Sequence, residues 1–238
     1  MVGILSAGVP LPRRPLTPGH DEVGLWYENV LGWPTVPGVP VRLAVGVRFD
    51  VLDVPAEAGY AALEHWERRP GCSGRGFPVA LSGDRMWLLV AEGSAEELPG
   101  LLEWLEWGAP LELDLRAIGA GGLLEAPRPV GSGAGGPGGR GGAGSAVADG
   151  TRPRGTGARN SSQGAAVWLR PPEPGAEAGA SLPTLSAMGT RGVRGDCAGP
   201  PDLVRLVNTV ATHIHRVRLR RASAAAAVRT ESQPLAFS

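Results

Sequence analysis

The pattern of apolar side chains predicts an α/β (α+β) domain, a small mixed sheet flanked by helices. Three observations carry that expectation. Val41 to Val54 (VRLAVGVRFDVLDV) alternates and then becomes nearly continuous in apolar residues, as a strand buried on both faces does. Ala56 to Arg69 (AEAGYAALEHWERR) follows directly after Pro55 with helical composition. Residues 78–91 (PVALSGDRMWLLVA) then read as two strands around a tight Ser82-Gly83-Asp84-Arg85 turn.

The remaining elements follow in order. His20 to Leu31 reads as a short helix with Asp21 as its cap and Gly32-Trp33-Pro34 as its end. Residues 35–40 (TVPGVP) are a Pro-punctuated connector. On the helix of residues 56–69, Tyr60, Leu63 and Trp66 recur at spacings of three and predict one apolar face, and Pro70-Gly71 ends it. Ser94 and Glu97 have the spacing of a capping box. The helix they open runs through Leu98, Leu101, Leu102 and Leu105 to Trp107, with Gly108 closing it and Pro99 tolerable only because it falls early. Leu111 to Ile118 (LELDLRAI) alternates like a half-buried strand. Residues 119–122 turn, and Leu123 to Ala126 form a further short strand. Ala165 to Arg170 (AAVWLR) is one more strand. Leu203, Val207, Val210, Ile214 and Val217 recur at three and four, the stripe of an amphipathic helix over 201–221.

This organisation divides the chain into a Pro-rich arm (1–19), the α/β domain (20–129), a linker (130–163), a short strand with a Pro/Gly-rich segment (164–200), the helix (201–221) and a tail expected to fray (222–238). The linker holds much of the chain's 37 Gly. It has almost no apolar side chain larger than Val, so burial cannot offset its ordering entropy, and its composition predicts disorder.

Formal net charge is zero over 238 residues, so no global field draws the chain to nucleic acid or a membrane surface. All 23 basic residues are Arg, a composition typical of high-GC coding sequence, which tempers any reading of individual arginines. No apolar stretch approaches the roughly 20 residues of a membrane span. The N-terminus lacks the pattern of a signal peptide, so the expected location is the cytoplasm. Cys72 and Cys197 are the two cysteines. Their separation suits neither a zinc site nor a disulfide framework. There is no Walker A loop, dinucleotide fingerprint or nucleophile elbow, and no strand–turn–helix frames the Gly-rich run.

Three segments, in order, resemble the motifs of archaeo-eukaryotic-type primases, most closely the N-terminal domain of bifunctional DNA primase/polymerases. VLDVPAEAGYAAL is similar to the first motif, in which a buried strand ends in Asp-x-Asp or Asp-x-Glu and enters a helix. ALSGDRMWLLVA is similar to the second, a hairpin carrying Ser and His. LELDLRAIGAGGLLEAP is similar to the third, which supplies a further Asp. The resemblance covers roughly residues 20–130. It implies a primase/polymerase-like fold and nucleotidyl transfer with Mg²⁺ or Mn²⁺, in which two metals clamp the attacking and leaving oxygens and carboxylates hold them.

On that resemblance Asp53 and Asp114 are the catalytic and metal-binding acids, and Ser82 and Arg85 are nucleotide-phosphate contacts. The chain departs from the pattern at two points. Pro55 replaces the second acid of the first motif, and Met86 stands where the second motif has His. Asp50 does not substitute, because residues three apart on a strand face opposite sides. A simpler reading of the same residues makes Asp53 the cap of the following helix and Asp114 an exposed strand residue. The chain is therefore expected to be a degenerate, non-catalytic module that binds nucleotide or DNA or acts as a regulator. The alternatives are a weakly active metal-dependent nucleotidyltransferase, and an interaction protein with a protein partner and no nucleotide role.

Other polar residues are less specific. Arg216, Arg218, Arg220 and Arg221 form a basic end to the last helix, which suits its dipole or marks a nucleic-acid contact. Arg140, Arg152, Arg154 and Arg159 lie in the linker without aromatic neighbours to stack on bases. His213 and His215 lie about 200° apart on a helix and cannot share a metal there. His20 and His65 have no recognisable partner. Seven Trp against three Phe and two Tyr make Trp the main aromatic of the core or of a partner surface, with Trp104 and Trp107 three apart on one helix.

Overall fold

A computed structural model describes residues 22–68, 76–108, 111–128, 166–174, 181–185 and 202–231. A five-residue helix, α1 (Glu22–Trp26), continues into a π-helical turn over Tyr27–Leu31. Gly32 closes the turn in the left-handed region, at φ 67°. Then come β1 (Thr35–Val36), β2 (Arg42–Ala44), β3 (Asp50–Pro55), α2 (Ala56–Glu67), β4 (Val79–Ser82), β5 (Arg85–Val90), α3 (Ser94–Trp104), β6 (Arg116–Ile118), β7 (Leu123–Glu125), β8 (Val167–Arg170) and α4 (Leu203–Glu231).

Two sheets form. The larger has the order β6-β3-β5-β4-β8 and the smaller β1-β2-β7. Every neighbouring pair of strands is antiparallel. This corrects the expected mixed sheet to an antiparallel one within an α+β arrangement. β3 and β4 do run parallel, as a strand–helix–strand crossover requires, but the β4–β5 hairpin folds back so that β5 lies between them. The run β3-α2-β4-β5-α3-β6 is thus a split β-α-β unit with its four strands in the order 4-1-3-2.

One face of the larger sheet presents Leu52, Val54, Val79, Met86, Leu88 and Val90 to α2, α3 and α4. The other presents Val51, Ala80, Trp87 and Leu89 to Tyr27, Trp33, Leu43, Phe49 and Leu124. All six residues of β3 are buried, because it is covered on both faces and flanked on both edges. β8 adds to the edge of this sheet, and α4 buries Leu203, Leu206, Val207, Val210, Ala211, Ile214 and Val217 against it. The C-terminal helix therefore shares the core of the domain.

Several expectations change. The run Val41–Val54 is not one strand. It breaks at Gly46, whose φ of 83° turns the chain and whose missing Cβ makes room for the backbone of Ala120. β2 enters the small sheet and β3 the large one. On α2 the inner face is Ala58, Gly59, Ala62 and Leu63, and Tyr60 is 47% exposed. A spacing of three drifts by about 60° per step, so Tyr60 starts outside the stripe. Met86 packs directly over Gly59, where any Cβ would collide with its sulfur.

Helix α3 ends at Trp104 rather than at Trp107. Its last carbonyls are met by Glu106 N–H to Glu103 and Trp107 N–H to Leu102, the paired bonds of a Schellman motif. The left-handed position of that motif falls on Glu106, at φ 63°, and not on Gly108. At the other end Ser94 is buried and is not the cap residue, which is Gly93.

Only Arg116–Ile118 of the expected strand 111–118 pairs with β3. The register would bring Asp114 opposite Pro55, which has no N–H to extend the ladder. Helix α4 runs ten residues past the expected end at 221, into the tail expected to fray. Ala222 and the Ala224–Ala226 run are strong helix formers and prolong it. The arm 1–19, Asp21, His20, the linker 130–163, both cysteines, most of 171–200 and the last seven residues lie outside the described residues. No described helix is long and apolar enough to cross a membrane.

Candidate functional site

β3 ends at Pro55, and β5 begins opposite it at Arg85. Alternation puts Val51, Asp53 and Pro55 on the sheet face away from the long helices, together with Arg85, Trp87 and Leu89. Asp53 stands directly opposite Trp87 on one side and Arg116 on the other. Asp114, two residues before β6, reaches the same end of the same face.

Arg85 joins the two acids. Its Nε donates to Asp53 Oδ1 at 2.8 Å and its Nη1 to Asp114 Oδ1 at 2.8 Å. Its Nη2 donates to the main-chain oxygen of Asp53 at 2.9 Å. The side chains of Asp53 and Arg85 are only 13% and 21% exposed, whereas Asp114 is 53% exposed. Burial would lower the pKa of the guanidinium, but the hydrogen bonds and charges of Asp53 and Asp114 outweigh it and raise it. The group is a fixed cation held between two anions. A divalent metal taking Asp53 and Asp114 as ligands would either displace Arg85 from the two Oδ1 atoms or bind against its fixed positive charge.

Three of the four residues expected at a nucleotide site are thus brought together. Ser82 pairs with Arg85 across the hairpin end. Three of the five guanidinium N–H groups of Arg85 are engaged by the two acids, which fixes the side chain and neutralises its charge, so it is a weaker phosphate contact than an unpaired arginine. Met86 is fully buried on the opposite face, which rules out an exchange of roles with the missing His. Asp53 does not cap α2: the cap residue there is Pro55, with no side-chain cap bond.

Asp50 has a role that the sequence reading missed. Its Oδ2 accepts from the N–H of Ala95 at 2.9 Å, so a carboxylate from β3 caps α3 across 45 residues. It is 1% exposed, its Oδ1 has no partner, and burial raises its pKa against the lowering effect of the Ala95 and Gly93 amides. Nothing local in the sequence marks such a contact.

The basic cluster on α4 is partly consumed inside the molecule. Arg220 and Arg221 both pair with Glu57, at 3.2 and 3.0 Å, and Arg218 donates to the Glu112 carbonyl. Arg216 is exposed. His213 faces His65, with ring centroids 5.9 Å apart, and His215 faces Trp107. Burial first, then Arg216, His65 and Arg220, lower the His213 pKa. Among the described residues no group of three or more His, Cys, Asp or Glu is placed to hold a metal ion.

The tryptophans divide. Trp33 and Trp87 are core residues, and Trp168 Nε1 donates to Tyr27 OH, which donates in turn to the Pro127 carbonyl. Trp107 Nε1 donates to Asn208 Oδ1 and ties α3 to α4, while Trp104 is exposed. A groove of about 590 Å³ runs between α2 and β8, lined by Glu57, Tyr60, Glu64, Glu67, Leu169 and Arg170 among others. It lies on the helix side of the sheet and does not include the Asp53–Arg85–Asp114 triad.

Comparison with known protein families, with characterised proteins and with solved structures gives no match.

Proposed function

We propose that the chain is a degenerate primase/polymerase-like module that binds or regulates rather than catalyses. The observation that carries this reading is the guanidinium of Arg85, hydrogen-bonded to both Asp53 and Asp114. In a metal-dependent nucleotidyltransferase the positive charge between such acids is a divalent cation that can exchange ligands with phosphate. A guanidinium has a full set of donors and no open coordination position, so it can neutralise the acids without activating anything. Pro55 removes the further carboxylate that the first motif would supply. Asp53 and Asp114 alone, with their near oxygens engaged, are a poor donor set for Mg²⁺ or Mn²⁺.

Two further points support the relationship to that family. The three segments that resemble its motifs lie on adjoining elements, β3, the β4–β5 hairpin and the approach to β6. Their polar residues converge at one end of one sheet face. The simpler reading, in which Asp53 is a helix cap, loses its basis because Pro55 occupies that position.

The test is thermal unfolding with and without Mn²⁺ and a deoxynucleoside triphosphate, together with primer extension. The expected result for the natural chain is no extension and no Mn²⁺-dependent shift that requires Asp53. Arg85→Met should gain a Mn²⁺-dependent shift that Asp53→Asn then removes. A saturated site at about 100 times its Kd adds roughly 2.7 kcal/mol, which is readily seen. Primer extension by the natural chain, abolished by Asp53→Asn, would overturn the proposal.

A further inference from the structure

Helix α4 segregates charge in a chain that is neutral overall. Its 29 residues carry six Arg, at 205, 216, 218, 220, 221 and 229, and a single acid, Glu231 at its end. Val217 is the last buried residue among those described, and every described side chain from Arg218 to Ala226 is exposed. The helix continues to Glu231, about 20 Å beyond Val217 at 1.5 Å per residue.

The outer face of α4 is defined by the buried stripe on the other side. Counting 100° per residue from Arg205, Arg216 falls at about 20° and Arg220 at about 60°. These three therefore line one row, with Arg205 and Arg216 about 16 Å apart along the axis and Arg216 and Arg220 about 6 Å apart. Arg205 and Arg216 are exposed and make no ion pair with another described residue. Arg220 shares the one carboxylate of Glu57 with Arg221, so that pair keeps a surplus positive charge. Asn208, Thr209 and Thr212 stand between Arg205 and Arg216, with the Thr212 hydroxyl donated to the Asn208 carbonyl, and Ser223 lies just beyond Arg221. Trp107 occupies the Oδ1 of Asn208, which leaves its amide N–H₂ as the free end.

We infer that this face is a docking surface for the phosphate backbone of double-stranded nucleic acid. Arginine interspersed with Ser, Thr and Asn donors is the usual set for phosphate contacts. The row is linear and α4 itself adds no acid to it, the neighbouring acids being Asp202 just before the helix and Glu57 of α2; such a row suits a regularly charged rod better than a folded acidic protein with its own fixed pattern. It carries no aromatic side chain, so it lacks what stacks on the bases of a single strand. It lies on the far side of the sheet from the Asp53–Arg85–Asp114 triad and does not rest on the function proposed above.

The experiment is fluorescence anisotropy with the full chain and a labelled 20-base-pair DNA duplex, over about 50 to 200 mM salt. Three neutralised phosphates predict a slope of log K against log salt of about −2.7, a loss of about 40-fold across that range. Arg205→Ala and Arg216→Ala should each bring the slope to about −1.8 and weaken binding alike for unrelated duplex sequences. Both side chains are exposed, and unfolding curves of the variants check that the fold is kept. Asp53→Asn should leave binding unchanged, which separates this surface from the triad. Absence of binding at 50 mM salt would overturn the inference. So would binding whose slope in both arginine variants is unchanged from that of the natural chain, or competition by polyglutamate at the same charge concentration as by DNA.

Discussion

Replacing Arg85 by Met removes three charge-assisted hydrogen bonds and leaves Asp53 without its partner. The two acids should feel this very differently. Asp53 is mostly buried, and truncating one member of a buried pair costs about 3–5 kcal/mol because the other charge is left uncompensated. Some water still reaches Asp53, which lowers the figure to about 2–3 kcal/mol. Asp114 is more than half exposed, so its share should be about 0.5 kcal/mol, the usual value for a surface pair. The total of about 3 kcal/mol corresponds to a fall in Tm of roughly 6–12 °C for a domain of this size. Urea denaturation of Arg85→Met, Asp53→Asn, Asp114→Asn and the two doubles gives both coupling energies. Coupling of Arg85 to Asp53 should exceed that to Asp114 by at least about 1 kcal/mol. Equal couplings, or a loss below about 0.5 kcal/mol for Arg85→Met, would refute the argument that burial ranks these two contacts.

Further outcomes follow from other contacts. Asp50→Ala should cost about 1–2 kcal/mol by removing the cap of α3, whereas Asp50→Asn keeps an accepting oxygen. The raised pKa of Asp50 means the fold favours its protonated form. The stability it contributes is therefore full below its ordinary pKa and is lost as pH rises through the folded value, so Asp50→Asn should gain on the natural chain as pH rises above about 4 in urea titrations. For His213 the sign is opposite in pH. Its lowered pKa favours the neutral ring in the fold, so stability is full above about pH 6.5 and falls as pH drops below it. His213→Gln should flatten that slope in thermal scans from pH 7.5 to 5.5, and an unchanged slope would exclude His213 as its source. Glu106→Gly should raise stability by about 0.5–1 kcal/mol, because Glu106 holds the left-handed position that glycine adopts without strain.

What could be recognised from the amino-acid order was local. The β3-to-α2 entry, the β4–β5 hairpin, the strands at 123–125 and 167–170 and the buried stripe of α4 follow from short-range periodicity and turn residues. The length of α4 was also available, since its alanine run has high helix propensity, but a tail without apolar spacing reads as frayed when packing alone is the criterion. Asp53 and Asp114 could be singled out because a strand–helix entry and a later alternating segment each carry an isolated acid.

The rest depended on contacts between residues far apart in the chain. A continuous apolar run does not say that Val41–Ala44 and Asp50–Val54 belong to different sheets; the left-handed turn at Gly46 and the approach of Ala120 decide that. Periodicity cannot distinguish a mixed from an antiparallel sheet, because the position of β5 between β3 and β4 is a matter of strand order. The assignment of Asp50 to the end of α3, and of Arg85 to the space between two acids, arises from registers that bring together residues 45, 32 and 29 positions apart. By itself the sequence determined which segments become helices and strands and which side chains are available for chemistry. The tertiary structure alone decided which charges meet, because the pairing of a cation with one acid or another depends on distance and burial in three dimensions.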